Sequence, residues 1–372
     1  MASLRDKLRA AAPQKAVSPK TAAQDCYLKE IKIPLSQFDL PSCIPGEALA
    51  FMQGNAYPDC AREDFLFLDT ETTGLSHGAG TVAFLVGVGY FTASHFIVRQ
   101  YLMRDYDEET FVLSRVAEDI YRCKVICTFN GATFDLPLLE NRYILKRMRE
   151  QYIARPHVDL LPTARRVWKL RLKRCNLASL EAAVLGMERE DDLPGAMVPE
   201  RYFNYLKTKE FFLLEDILDH NQQDIISLAH ILSRLLCLHA SPTLACAPED
   251  IFSLGRVYER RGKTEGARIC YRAADKGAVS SMARARMADS FRREGNYQEA
   301  ARIYERMIAS RQGGISPYIA MAKICEHKKR DISAAIEYTR KAIILSADLK
   351  DADMAALQKR YQRLMNKARR DS

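Results

Sequence analysis

The sequence predicts an α/β domain followed by an all-α array of helical hairpins. Three observations carry that expectation. Runs of Val, Phe, Tyr and Leu with strand-like spacing cluster between Phe65 and Phe129, and helical spacing takes over further on. After the Ser241-Pro242 and Ala247-Pro248 breaks the spacing is helical throughout, and it repeats every 33 to 34 residues. The charge divides at the same place. Residues 1–240 hold 29 Lys and Arg against 31 Asp and Glu, whereas residues 241–372 hold 27 against 16, a net +11. The expected boundaries are a flexible tail over 1–24, an α/β domain over 25–240 and a helical domain over 241–372.

The first 24 residues are rich in Ala, Lys, Pro and Ser and give little apolar surface to bury. Phe65–Leu68 is a short apolar run, and 82–91 and 94–102 alternate in part, so three consecutive strands are expected. Phe111, Leu113, Val116 and Ile120 fall on a helix that opens with acids at its N-terminus. Val125–Phe129 reads as a fourth strand. A basic amphipathic helix follows from Leu138 to Arg149, then a short strand at His157–Leu160, helices near 163–172 and 177–185, an acidic Pro- and Gly-bearing loop over 188–199, and a long helix over 216–238.

In the helical domain Leu254, Gly255, Tyr258, Ala267, Tyr271 and Ala274 recur as Met287, Ala288, Phe291, Ala300, Tyr304 and Met307, and again as Met321, Ala322, Cys325, Ala334 and Tyr338. Small residues at a helix crossing with aromatics one turn on resemble tetratricopeptide helix pairs, which stack because no single pair buries its apolar face alone.

Composition excludes several classes. No stretch approaches the roughly 18 apolar residues of a membrane span, so no membrane association is expected. The ten cysteines show no CxxC spacing and read as reduced thiols of a cytoplasmic protein. The basic excess suits a polyanion.

The strongest chemical signal is Asp69-Thr70-Glu71-Thr72-Thr73-Gly74-Leu75 after the apolar Phe65–Leu68. Residues i and i+2 of a strand share a face, so Asp69 and Glu71 present two carboxylates together. Either they are solvated acids at a strand's exit, or a cation neutralises them, and hard oxygens suit Mg²⁺ or Mn²⁺. Asp135, after the Asn130-Gly131 turn, either caps the next helix or sits beside Asp69. His220 and Asp224 are four apart on a helix and face one way.

Together these residues resemble the DEDD exonuclease branch of the ribonuclease H-like superfamily over residues 62–239: an Asp-x-Glu strand, an Asn-x-x-Phe-Asp segment, and a late helix with His ahead of Asp. Gly78-Ala79-Gly80-Thr81, Arg165-Arg166-Val167-Trp168, Asp191-Asp192-Leu193-Pro194-Gly195 and His220-Asn221-x-x-Asp224 look like the YprB-type ribonuclease H-like family. The resemblance implies a mixed sheet flanked by helices and a divalent-metal-dependent nuclease, most simply a 3′-to-5′ exonuclease on single-stranded DNA or RNA. Asp69, Glu71, Asp135 and Asp224 would hold two Mg²⁺ or Mn²⁺ ions. His220 would orient or deprotonate the water, although its spacing of four to Asp224 departs from the five of the family's His subgroup. Thr72, Leu75 and Asn130 would contact substrate, Leu75 as a wedge against a terminal base unless it only covers the core, and Asn130 near the metals unless it only makes the turn.

Trp168 among Arg165, Arg166, Lys169, Arg171, Lys173 and Arg174 is either a stacking and phosphate-binding helix or one core-facing ring on a solvated basic face. The rival functions are a catalytically silent nucleic-acid-binding or scaffold protein and a structure-selective endonuclease. The helical repeats would present a basic surface to nucleic acid or a groove to a protein partner.

Overall fold

The computed structural model describes residues 25–74, 80–189, 193–346 and 352–371. The tail expected over 1–24 and Leu75 lie outside them. The chain divides into two compact units at Ser241/Pro242.

The first unit holds β1 (Tyr27–Pro34), β2 (Cys43–Ile44), α1 (Gly46–Gln53), β3 (Cys60–Ala61), β4 (Phe65–Thr72), β5 (Ala83–Phe91), β6 (His95–Leu102), α2 (Glu109–Arg122), β7 (Val125–Thr128), α3 (Asp135–Leu145), β8 (His157–Asp159), α4 (Leu160–Trp168), α5 (Leu177–Leu180), α6 (Val198–Thr208) and α7 (Glu215–Ala240). Six strands form one mixed sheet in the order β1-β6-β5-β4-β7-β8. β1, β6, β5 and β4 pair antiparallel, and β7 and β8 extend the sheet in parallel from β4. The fold is ribonuclease H-like.

β4 is central, which explains why Phe65–Leu68 is apolar without alternation: both faces are covered. On one face Leu66, Leu68, Val86, Val88 and Leu102 pack against α2 (Val112, Val116, Ile120), α3 (Leu138, Leu139, Tyr143) and α6 (Val198, Tyr202, Tyr205). On the other, the rings of Phe38, Phe67, Phe91 and Phe96 form a cluster of edge-to-face and tilted pairs. The long α7 crosses β4, β5 and β6. It can approach closely because β5 carries Gly87 and Gly89: a Cβ there would lie 2.1 Å from Asn221 Oδ1 and 2.5 Å from Ile225 Cγ2.

Several boundaries differ from expectation. β4 continues through Thr72, so Asp69 and Glu71 lie within the strand, partly buried, on either side of the buried Thr70. The helix expected from Leu138 begins at Asp135, and the one expected from Thr163 begins at Leu160, where Asp159 caps it by accepting from the Leu161 N–H. β1 and α1 had no counterpart among the elements expected from sequence. β1 is an edge strand whose Lys29, Glu30 and Lys32 dilute the apolar signal.

The second unit is helical: α8 (Pro248–Arg260), α9 (Thr264–Ala273), α10 (Ser280–Arg293), α11 (Tyr297–Ala309), α12 (Ser316–Ile324), α13 (Ile332–Ser346) and α14 (Ala352–Asp371). α8 packs with α9, α10 with α11 and α12 with α13, and α9–α10 and α11–α12 packing joins the pairs. The small residue of the first repeat, Gly255, lies where a Cβ would be 2.6 Å from the Tyr271 ring. Gly262 and Gly295 turn the first two pairs with φ of 71° and 84°. Arg330 does so in the third at 56°. Glu326, 2% exposed, holds α14 through Arg360 and Arg363. No described helix is long and apolar enough to cross a membrane.

Candidate active site

The site lies where the central strands end. β4 delivers Asp69 and Glu71 on the face that α7 covers, and α7 brings His220, Asn221 and Asp224 over them within about one turn. Asn221, fully buried, is the rivet: its Nδ2 donates to Asp69 Oδ2 at 3.0 Å while its Oδ1 accepts from Gln100 Nε2 at 3.1 Å. Gln100 in turn donates to the Leu218 carbonyl at 2.6 Å, so β6 and α7 together orient the amide that orients Asp69.

Asp135 enters from the start of α3. It caps no helix with its side chain; its Oδ1 accepts from the Thr70 N–H at 3.1 Å and the Thr70 hydroxyl at 2.6 Å. The loop that carries it there is held by Asp159 at the end of β8, whose carboxylate accepts from the N–H groups of Asn130 (2.8 Å) and Ala132 (3.2 Å). Asn130 stands at φ 73°, a left-handed turn that its type tolerates, and its Oδ1 accepts from the Thr133 hydroxyl at 3.0 Å.

His220 Nε2 is 3.6 Å from Asp224 Oδ2 and 3.9 Å from Glu71 Oε1. Asp224 Oδ1 is bound by Arg189, which also reaches His220 Nδ1 at 3.2 Å and Glu181. Arg189, Glu181 and Asn221 had no assigned role from sequence. Arg189 and Glu181 meet their partners on α7 across 31 to 46 positions, a distance at which single-sequence spacing carries no signal.

Burial dominates the electrostatics. It raises Asp69 well above the ordinary carboxylate range, with the charges of Asp224, Asp135 and Glu71 adding and the Asn221 hydrogen bond opposing. Burial likewise pushes Glu71 up to about 8, against the attraction of His220. Asp135 is raised by burial to about 6, moderated by its Thr70 hydrogen bonds. Asp224 is raised by burial and restrained by His220 and Arg189. Crowded buried acids of this kind are held ionised by a cation, and their oxygens are the hard donors that divalent ions take. Asp69, Asp135 and Asp224 each give one oxygen to a protein donor and have a second to offer. Among the described residues, however, no three acid, imidazole or thiol groups stand close enough to hold an ion as they are. Arg189 already sits on Asp224 Oδ1.

The remaining expected residues scatter. Trp168 is 1% exposed on α4 and offers no ring face to a base, so the stacking role is corrected to a core position. Arg166 is directed to the Met52 carbonyl and the Thr163 hydroxyl, while Arg165 is exposed. Thr72 is buried and its hydroxyl donates to the Gly74 carbonyl at 2.8 Å. Leu75, Gly78, Ala79, Asp191 and Asp192 lie outside the described residues.

A protein-family comparison agrees with this fold. Residues 66–236 match the family model RNase_H_2, described as RNase_H superfamily. The uncharacterized protein YprB of Bacillus subtilis (strain 168) is 28% identical over 315 residues, which is 82% of this chain and 75% of that protein. Among solved structures, the family B DNA polymerase from the hyperthermophilic archaeon Pyrobaculum calidifontis is 15% identical with a TM-score of 0.35, over 53% of this chain and 29% of the polymerase's own length.

Proposed function

We propose that the chain is a divalent-metal-dependent nuclease, acting as a 3′-to-5′ exonuclease on single-stranded DNA or RNA with two Mg²⁺ or Mn²⁺ ions. The observation that carries it is the gathering of Asp69, Glu71, Asp135 and Asp224, from three separate elements, within range of one another's charge. These four would hold the ions, with Asn221 and Thr70 fixing the orientation of Asp69 and Asp135. Bound ions supply an activated water and neutralise the charge that develops on the leaving oxygen. His220 lies between Glu71 and Asp224, where it can hold a proton beside the reacting phosphate. Asn130 supports the loop that presents Asp135, and the exposed Arg165 is available to a phosphate.

Residues 25–240 would be the nuclease domain. The stacked helix pairs of 241–372, tetratricopeptide-like in their repeat, would add a basic surface for the strand, and a protein partner would use the same array as a groove. Ten free cysteines support a cytoplasmic, reducing location.

One observation favours a second reading, a catalytically silent nucleic-acid-binding or scaffold protein: Arg189 already neutralises part of the acidic cluster. Incubating the purified protein with single-stranded DNA and RNA labelled at either end, in Mg²⁺, Mn²⁺ or chelator, separates the readings. A metal-dependent ladder shortening from the 3′ end is expected. Internal fragments would indicate an endonuclease, and silence in every condition would support the scaffold.

A further inference from the structure

The geometry points to Arg189 as a positioning residue that fixes His220 in the Nε2–H tautomer and engages Asp224 through Oδ1. A guanidinium carries donors and no acceptor. Arg189 Nη1 lies 3.2 Å from His220 Nδ1, so that nitrogen must present its lone pair. The proton of the neutral ring is therefore on Nε2, the nitrogen 3.6 Å from Asp224 Oδ2 and 3.9 Å from Glu71 Oε1. Arg189 Nη2 takes Asp224 Oδ1 at the same time.

Arg189 is not a passing surface contact. Its side chain is 11% exposed, and Glu181, fully buried, grips it from behind through two hydrogen bonds. Ser227 on α7 donates its hydroxyl to Glu181 Oε1, which ties the clamp to the helix that carries His220 and Asp224. Withdrawal of Arg189 would leave the Glu181 charge buried and unpaired, a strongly unfavourable state. The arginine therefore stays, and it sets both the ring and the carboxylate.

The consequence for chemistry rests on the nuclease reading; the tautomer does not. A neutral ring with its proton on the nitrogen facing the carboxylates donates a hydrogen bond, to a phosphate oxygen or to the oxygen of a departing group, and keeps that proton, since giving it up would leave an imidazolate. It cannot take a proton from water at that nitrogen. This assigns His220 the role of a hydrogen-bond donor in place of a general base.

The test is nitrogen NMR of the full chain with ¹⁵N-labelled histidine, metal-free at neutral pH, with the His220 signals identified by their loss in His220→Gln. The expected pattern is an unprotonated, pyridine-type Nδ1 and a protonated, pyrrole-type Nε2. Arg189→Lys keeps a positive charge but cannot reach Glu181, Asp224 and His220 together, so the single pattern should give way to a mixture of tautomers. Should that variant fail to fold, Glu181→Gln combined with Arg189→Gln removes the buried charge with its partner and should give the same mixture. A protonated Nδ1 in the wild-type protein, or an unchanged spectrum in a folded Arg189 variant, would overturn the inference. A protein with the expected tautomer and no hydrolysis of any labelled strand would retire the nuclease reading and leave Arg189 in its positioning role.

Discussion

Glu71 meets neutral pH largely protonated, because burial holds its carboxyl at about 8 where an exposed one titrates near 4.5. The folded state thus favours the protonated form, and the stability this gives is complete below the unfolded value and lost as pH rises through the folded one. The metal-free protein should melt at progressively lower temperature between about pH 5 and pH 8, and Glu71→Gln should remove much of that slope. Calorimetry in chelator reads both, and a melting temperature that rises across the window equally in the two proteins would contradict the burial of this charge. Asp69→Asn deletes charge at nearly constant volume and keeps an acceptor for Asn221. Hydrolysis should fall by at least about 10³-fold, roughly 4 kcal/mol of barrier. The metal-free melting temperature should not fall, because a raised, mutually repelled acid has been removed. Much of this residue-level chemistry was legible in the sequence, since Asp69 with Glu71 and His220 with Asp224 are set by the two-residue and four-residue periods of strand and helix. Arg189 was not, because its ties to Glu181 and Asp224 exist only after the chain has folded over 8 and 35 positions.

At the scale of elements, the site depends on how closely α7 lies on β5. Gly87 leaves the space in which Asn221 reaches Asp69, so Gly87→Ala should destabilise the protein by about 1–3 kcal/mol. It should also reduce hydrolysis by displacing the Asn221 amide. Gly195→Ala, with nothing within 4 Å of the new Cβ, serves as the control. Equal activity of the two variants would mean that the close approach does not position Asp69. The central strands and α7 announce themselves through apolar runs and helical spacing. β1 and α1 do not: an edge strand interleaved with Lys and Glu, and an eight-residue helix that follows Pro45, carry too little apolar periodicity to be distinguished from loop. The same limit explains Trp168, whose basic neighbours resemble a nucleic-acid face although the ring itself is core.

At the scale of the whole molecule, chemistry and charge are divided along the chain. The first 240 residues are nearly neutral and hold the acidic site, while the helical region carries a net +11. Within that region a cavity of about 590 Å³ on the second and third helix pairs is lined by Arg302, Lys328 and Lys329 together with Glu299 and Glu305, and Tyr297 lies under the Lys328 ammonium at 4.8 Å. If this surface holds a single strand, binding should weaken steeply with salt. Changing all three basic residues to Gln should lower the slope of log affinity against log salt by about 2, at roughly 0.7 for each phosphate no longer neutralised. Fluorescence titration of a labelled oligonucleotide at several salt concentrations measures it, and an unchanged slope would leave this face to a protein partner.

The central claim, that the four clustered carboxylates form a divalent-ion site, is tested most directly by calorimetric titration of Mn²⁺ into the protein and into Asp69→Asn, repeated in buffers of different ionisation heat. The wild-type protein should bind saturably and release protons, because Glu71 must give up its own, and Asp69→Asn should bind at least about tenfold more weakly, a loss of roughly 1.4 kcal/mol. Equal affinity in the two proteins, with no protons released, would contradict it.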